Sequence, residues 1–208
     1  MFLGRQQEAG FVVALKKVVK SKVAEYKMLD QFCSEIRLHS CLDHPNIVKF
    51  YGCFEEKEDV YLVLEYMNGG TLFDYLNEVN YLGVREAVEY LRDIIEALVY
   101  MHEKSIAHRD IKPENIVISS EGVAKLCDFG WSAVVETSRK TYCGTFDYAP
   151  PEILERKNYD TSVDIWCIGV LTYELLTGRV PFEGEQRNII MHKIVNVRVL
   201  LCRLTKTK

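Results

Sequence analysis

The stretch His108-Arg109-Asp110-Ile111-Lys112-Pro113-Glu114-Asn115 decides how this chain is read, together with the residues just after it: Val117 and Ile118 as a short strand, a turn at Glu121-Gly122, and Asp128-Phe129-Gly130. Two aspartates, a lysine and an asparagine thereby fall in loop positions between apolar runs. Upstream, Phe11 to Val19, Ile47 to Phe54 and Val60 to Glu65 are rich in β-branched residues and predict three strands, the last two joined by the turn-like Glu55 to Asp59. Between the first and second, Glu25 to Leu42 carries Met28, Phe32, Ile36 and Leu38 at close to helical spacing. That segment stops at Asp43-His44-Pro45-Asn46, because proline disfavours helix before it. One helix is expected to interrupt a small sheet.

Beyond Met67-Asn68-Gly69-Gly70 the pattern changes, and Val84, Val88, Leu91, Ile95 and Leu98 step by 4, 3, 4 and 3 residues. This predicts an amphipathic helix that buries that face. The chain reads as α+β: a strand-rich part with one long helix over residues 1–67 and a mainly helical part over 68–208, divided at the flexible Gly-Gly segment.

The 208 residues carry 26 Lys and Arg against 30 Asp and Glu, a net charge of −4 that supplies no basic field for a phosphate backbone. Direct nucleic-acid binding is not expected. With 48% hydrophobic and 27% charged residues, the composition excludes collagen-like and disordered chains. The apolar run from Ile165 to Leu176, preceded by Asp164 and interrupted by Glu174, is too short for a bilayer, which needs about 20 residues. The opening residues Met1 to Glu8 do not form a signal peptide. An intracellular chain with no membrane partner is expected. Seven cysteines, an odd number without a C-x-x-C pair, predict buried reduced thiols rather than a metal or redox site.

Read together, His108-Arg109-Asp110 with Asn115, Asp128-Phe129-Gly130, Ala14-Leu15-Lys16 and Ala149-Pro150-Pro151-Glu152 resemble the signature set of the protein kinases. The resemblance implies a two-lobed kinase fold using ATP and Mg2+. Phosphoryl transfer leaves a protein mostly positioning and charge neutralisation to supply. By resemblance, Asp110 accepts or orients the substrate hydroxyl proton, Lys112 stabilises the transferring group, and Asn115 and Asp128 offer hard oxygen ligands to magnesium. Lys16 contacts the α- and β-phosphates and pairs with Glu35 on the helix. Leu64 takes the gatekeeper position, the Glu65-Tyr66-Met67 segment bonds adenine through its backbone, and Ala14 and Val117 sandwich the ring. His108 is read as a packed residue that steadies the loop.

Within the superfamily, Lys112 favours Ser/Thr specificity. Asp128-Phe129-Gly130-Trp131-Ser132 with Cys143-Gly144-Thr145-Phe146-Asp147-Tyr148-Ala149-Pro150-Pro151-Glu152 is similar to the Aurora kinases. That likeness implies a switch by phosphorylation at Thr141, with Arg109 as a docking cation for about −1.5 to −2 of added charge. It also implies protein substrates with basic residues near the Ser or Thr, read in part by Glu114, and an activating protein on the smaller lobe. The implied setting is mitotic, at nucleus, spindle and cytoskeleton.

Two departures temper the likeness. No G-x-G-x-x-G precedes Lys16, and Arg198 to Lys208 does not continue the family pattern, so both lobes are expected to be incomplete. The chain is read first as a Ser/Thr kinase and alternatively as a catalytically weak fragment acting as a binding or regulatory module. A small-molecule phosphotransferase is disfavoured by Lys112 and by the Thr145 to Glu152 segment.

Overall fold

A computed structural model describes residues 1–134 and 146–197. Strands β1 (Phe2–Arg5), β2 (Val12–Val19), β3 (Phe50–Glu56) and β4 (Asp59–Glu65) form an antiparallel sheet in the order β1-β2-β4-β3. Its first strand was not among the three expected, and β2 begins at Val12 rather than Phe11. The strand expected from Ile47 also starts later, at Phe50. Ile47 forms a parallel bridge to Leu126, and Val48 donates its N–H to the Leu126 carbonyl, so residues 47–48 belong to the junction with the helical part. Both are 2% exposed.

The helix expected over Glu25 to Leu42 is α2 (Leu29–Ser40), which starts later, and a separate short helix α1 (Lys20–Glu25) precedes it. Lys27 sits at φ 53°, and the Met28 and Lys27 N–H groups donate to the Val23 and Ala24 carbonyls. This is a Schellman closure, which usually carries glycine at the left-handed position. With lysine there, the break leaves no compositional mark. Phe32 and Ile36 of α2 pack on Val60, Leu62 and Leu64 of β4, which fixes the face that the helix turns to the sheet.

The helical part opens with α3 (Leu72–Val79), whose start is held by a capping box between Thr71 and Asp74. The expected second-part helix is present as α4 (Val84–Glu103), but the face expected to be buried is so only in part: Leu98 is buried and Leu91 packs against the core. Val84, Val88 and Ile95 are 60, 57 and 43% exposed, whereas Ala87, Ile94, Ala97, Leu98 and Met101 are buried. Two alanines on the inner face let α4 approach its neighbours closely, and alanine contributes little to a hydrophobic periodicity. A core face built this way is quieter in sequence than an exposed row of valines.

Short strands β5 (Ile106–Ala107), β6 (Ile116–Ile118), β7 (Ala124–Leu126) and β8 (Ala133–Val134) pair as β5-β8 and β6-β7. The β6-β7 hairpin therefore starts one residue earlier than read from Val117. Helices α5 (Pro151–Leu154), α6 (Ser162–Thr177) and α7 (Arg187–Val195) complete the described chain. The α6 helix runs through the core: Leu171 and Leu175 are fully buried, and Trp166, Ile168 and Leu176 pack against the same cluster. Cys167 is buried as expected, but Cys41 and Cys53 are exposed, and the described cysteines are free thiols.

Candidate active site

The site is assembled from four segments distant in sequence. Lys16 projects from β2 opposite Leu62 of β4. Its Nζ donates to Glu35 Oε1 at 2.7 Å and to Asp128 Oδ1 at 3.0 Å. Glu35 lies between Phe32 and Ile36 on α2, so the packing that docks the helix also brings this carboxylate to the sheet. Burial opposes the charge on Lys16, but Asp128 and Glu35 more than offset it and hold the ammonium above its ordinary pKa. Asp128 behaves in the mirror sense: burial alone would raise it, yet Lys16 and the Gly130 N–H hold its carboxyl below the usual range. Asp128 itself sits at φ 60° and accepts from Gly130 N at 3.2 Å.

The Asp110 loop is braced from beneath. Asp164, in the first turn of α6 and 0% exposed, accepts the His108 N–H at 2.9 Å and the Arg109 N–H at 2.8 Å. His102 Nε2 lies 2.8 Å from the same carboxylate. These bonds hold the loop through Arg109, whose φ is 69°. Above the brace, Asp110 Oδ2 takes Lys112 Nζ at 3.0 Å and Asn115 Nδ2 at 2.8 Å. Asn115 also donates to the Asp110 carbonyl, and its own carbonyl accepts Cys127 N–H at 2.9 Å, linking the Asp110 loop to the Asp128 segment. His108 is buried as a packing residue, its ring 5.2 Å from that of Phe129.

A cleft of about 380 Å3 opens beside these groups, lined by Ala14, Leu64, Glu65, Tyr66, Met67, Val117 and Cys127 among others. Every residue expected to hold the adenine thus borders one cavity. Burial pushes the Cys127 thiol up to about 12, which keeps it protonated there. Glu114 is exposed on the single tight turn Pro113–Asn115. Arg109 Nη1 donates to Tyr159 Oη at 2.7 Å and its Nε to the Trp131 carbonyl. Thr141 and Cys143 lie outside the described residues.

Three contributors carry no clear mark in the sequence. Asp164 reads only as a charge beside an apolar run, although an aspartate at the start of a core helix is itself a signal that something must satisfy it. Gln31 Nε2 donates to the Gly130 carbonyl at 2.7 Å, a contact that nothing local announces. His39 is 3% exposed, lies tilted against the Phe129 ring with centroids 4.4 Å apart, and donates from Nε2 to the Val48 carbonyl at 2.6 Å.

A lysine on a sheet tied to a helix carboxylate, an Asp-Lys-Asn loop braced from below and a second aspartate paired with the same lysine define a protein kinase domain. The protein kinase domain family matches residues 1–208. Serine/threonine-protein kinase Aurora-1 of Arabidopsis thaliana is 42% identical over 197 residues, covering 95% of this chain and 67% of that protein. An Aurora kinase of Saccharomyces cerevisiae is 43% identical over 192 residues, 91% of this chain and 52% of its own length. Aurora kinase A-A of Xenopus laevis is 41% identical over 198 residues, 95% of this chain and 49% of its own length. The chain belongs to the protein kinase family, in its Aurora branch, and spans between about half and two thirds of the length of these relatives.

Proposed function

We propose that this chain is a Ser/Thr protein kinase that moves the γ-phosphoryl group of ATP to protein substrates carrying basic residues near the target. The observation that carries the reading is Lys16 Nζ bonded at once to Glu35 and Asp128 beside the cleft lined by Ala14, Leu64 and Val117. The donor set suits magnesium. Asp128 and the Asn115 amide oxygen are hard ligands, and no group of three His, Cys, Asp or Glu among the described residues makes a closed cage. Magnesium keeps water and phosphate oxygens in its shell and needs only one or two protein ligands.

Bound Mg-ATP supplies the electrophilic phosphorus and a neutralised leaving group. The chain does the rest. Lys16, held in register by Glu35, contacts the α- and β-phosphates. Asp110 takes the proton of the substrate hydroxyl as its oxygen bonds to phosphorus and the bond to the β-phosphate oxygen breaks. Lys112, 3.0 Å from Asp110, offsets negative charge on the group in flight. Glu114 is exposed where it can read a substrate arginine. Thr141 serves as the switch, its phosphate directed to Arg109. An activating protein belongs to the same reading, and the cavity of about 560 Å3 between α1, α2 and the sheet, lined by Val23, Leu29, Phe32 and Ile36, offers it apolar surface. A role in cell division belongs to the same reading. The alternative of a binding module without turnover is not favoured by the bonds that join Lys16 to Asp128 and Asp110 to both Lys112 and Asn115.

The test is magnesium-dependent phosphate transfer to an arginine-containing Ser/Thr peptide, compared with Asp110→Asn. A drop of about 10²–10⁴-fold is expected, the range of general-base loss. Equal rates in the two proteins overturn the assignment.

A further inference from the structure

Gln31, Glu35 and His39 follow one another at four-residue spacing on α2, and each meets a different residue of the segment 128–130. Side chains four apart on a helix share a face. Glu35 reaches Asp128 through Lys16 Nζ, His39 lies against the Phe129 ring, and Gln31 Nε2 donates to the Gly130 carbonyl at 2.7 Å. The fit is close, for a Cβ on Gly130 would fall 3.2 Å from Glu35 Oε2. The Gln31 bond differs from the Lys16 pair in one respect: neither of its atoms is a ligand of metal, phosphate or substrate.

That difference matters once the site is filled. The Lys16–Asp128 pair joins two groups that each have a ligand to bind, the lysine a phosphate and the aspartate a cation, so the tie it makes between α2 and Asp128 is given up on binding. The Gln31 bond can persist. Asp128 needs such a hold, because its φ of 60° lies in the left-handed region, which a non-glycine residue keeps only where its surroundings impose it. Gly130 carries the hold to it: its N–H donates to Asp128 Oδ1 at 3.2 Å while its carbonyl accepts from α2. The next carbonyl, that of Trp131, accepts Arg109 Nε from the Asp110 loop. Two consecutive carbonyls are thus fixed, one by the helix and one by the loop.

We propose that Gln31 is a positioning residue for the metal ligand Asp128: by fixing the Gly130 carbonyl to α2, it sets the carboxylate for a divalent cation in the nucleotide-bound site. The inference deepens the Mg-ATP reading and rests on it. Removing an outer partner that orients a metal ligand commonly costs about 10–100-fold in metal affinity or activity. The nucleotide itself meets Lys16 and the walls of the cleft, so its binding without metal does not depend on Gln31. The side chain is half-buried beside a cavity of about 440 Å3 that Met28, Phe32 and Trp131 also border, which leaves room for substitutes at this position.

Titration of the full chain with Mn2+, which takes the same hard oxygen ligands as Mg2+ and whose free form is read by electron paramagnetic resonance, tests this without turnover when a non-hydrolysable ATP analogue is present. Gln31→Met keeps the length of the side chain without its donor, and Gln31→Asn keeps the amide but stops one methylene short of the carbonyl. Each is expected to weaken Mn2+ binding by about tenfold or more, while affinity for the analogue in EDTA stays within about twofold of the parent, since Gln31 meets no part of the nucleotide. Gln31→His at about pH 8, where neutral imidazole offers an Nε2–H at the same number of bonds from the backbone, is expected to bind Mn2+ within about threefold of the parent. Parent-like Mn2+ binding in Gln31→Met or Gln31→Asn reduces the residue to packing and overturns the proposal. So does Gln31→His binding no better than Gln31→Met, or a metal-free affinity that falls as far as the Mn2+ affinity. A parent chain that binds no Mn2+ overturns the proposal and the magnesium reading together. A parent that binds Mn2+ and analogue as expected, with the variants ordered as above, but transfers no phosphate from ATP overturns the kinase assignment alone.

Discussion

Asp128 and Asp164 stand on either side of the same loop and are held in opposite ways. The Asp128 carboxylate is 45% exposed, and it takes Lys16 Nζ and one backbone N–H. The Asp164 carboxylate is fully buried and takes two backbone N–H groups together with His102. A side-chain partner at the edge of a cleft can be exchanged for a ligand at little cost, since exposed pairs contribute about 0–1 kcal/mol. A buried carboxylate whose partners are main-chain donors cannot let go without stranding them. The first arrangement suits a group that must trade partners during turnover, and the second suits one that must hold a loop still.

The strongest way to break this comparison is Asp164→Ala. It removes the acceptor of one buried and one half-buried N–H group, and a loss on the order of 3 kcal/mol is expected from the cost of leaving donors unsatisfied, read as a fall in thermal midpoint. A loss below about 1 kcal/mol, the level of an ordinary exposed pair, would erase the contrast with Asp128. Next comes His39, which sits under both regions through Phe129. Burial lowers its pKa to about 4, only partly offset by the bond to the Val48 carbonyl. The unfolded chain, with histidine near 6.5, then binds more protons than the folded one as pH falls below that value. Stability is expected to drop by on the order of 2 kcal/mol between about pH 6.5 and pH 4 through this group, and His39→Gln to flatten that part of the profile in denaturant titrations.

A smaller effect on folding is expected at Lys16. Lys16→Met is expected to change stability by only about 1 kcal/mol, because the pair is partly exposed, while ATP binding and phosphotransfer collapse. A stability loss as large as that of Asp164→Ala would show that the triad is a structural brace too. The smallest effect concerns pH near neutrality. Asp128, depressed, contributes stability above the ordinary carboxylate value of about 3.9 and loses it as pH falls through its lower folded value. Lys16, raised, contributes below about 10.4 and loses it as pH rises through its higher folded value. Their pair therefore adds no slope between about pH 5 and pH 9, and a slope there that vanishes in Lys16→Met would contradict the assigned charges.

The site is far more legible in the sequence than the packing around it. Asp110, Lys112, Asn115 and Asp128 sit in short ordered segments whose residue types are dictated by the chemistry, so each can be named before any fold is known. The inner face of α4 is hidden because Ala87 and Ala97 carry its close packing, and small side chains hardly register in a hydrophobic pattern. The break at Lys27 is hidden because a left-handed lysine looks like any surface lysine. Asp164 passes unnoticed because its partners are main-chain N–H groups, which have no identity in sequence.

By itself the sequence determined the kind of chemistry: which charged and amide side chains exist, in what order, and on strand, loop or helix. Only the tertiary structure decided that Lys16, Glu35 and Asp128 meet within 3.0 Å, that Asp164 carries the Asp110 loop, and which side of α4 is left in water. The physical reason is that residue type is local information. The partners of a buried carboxylate and the face that a helix hides are settled by competition among all the surfaces that pack at once.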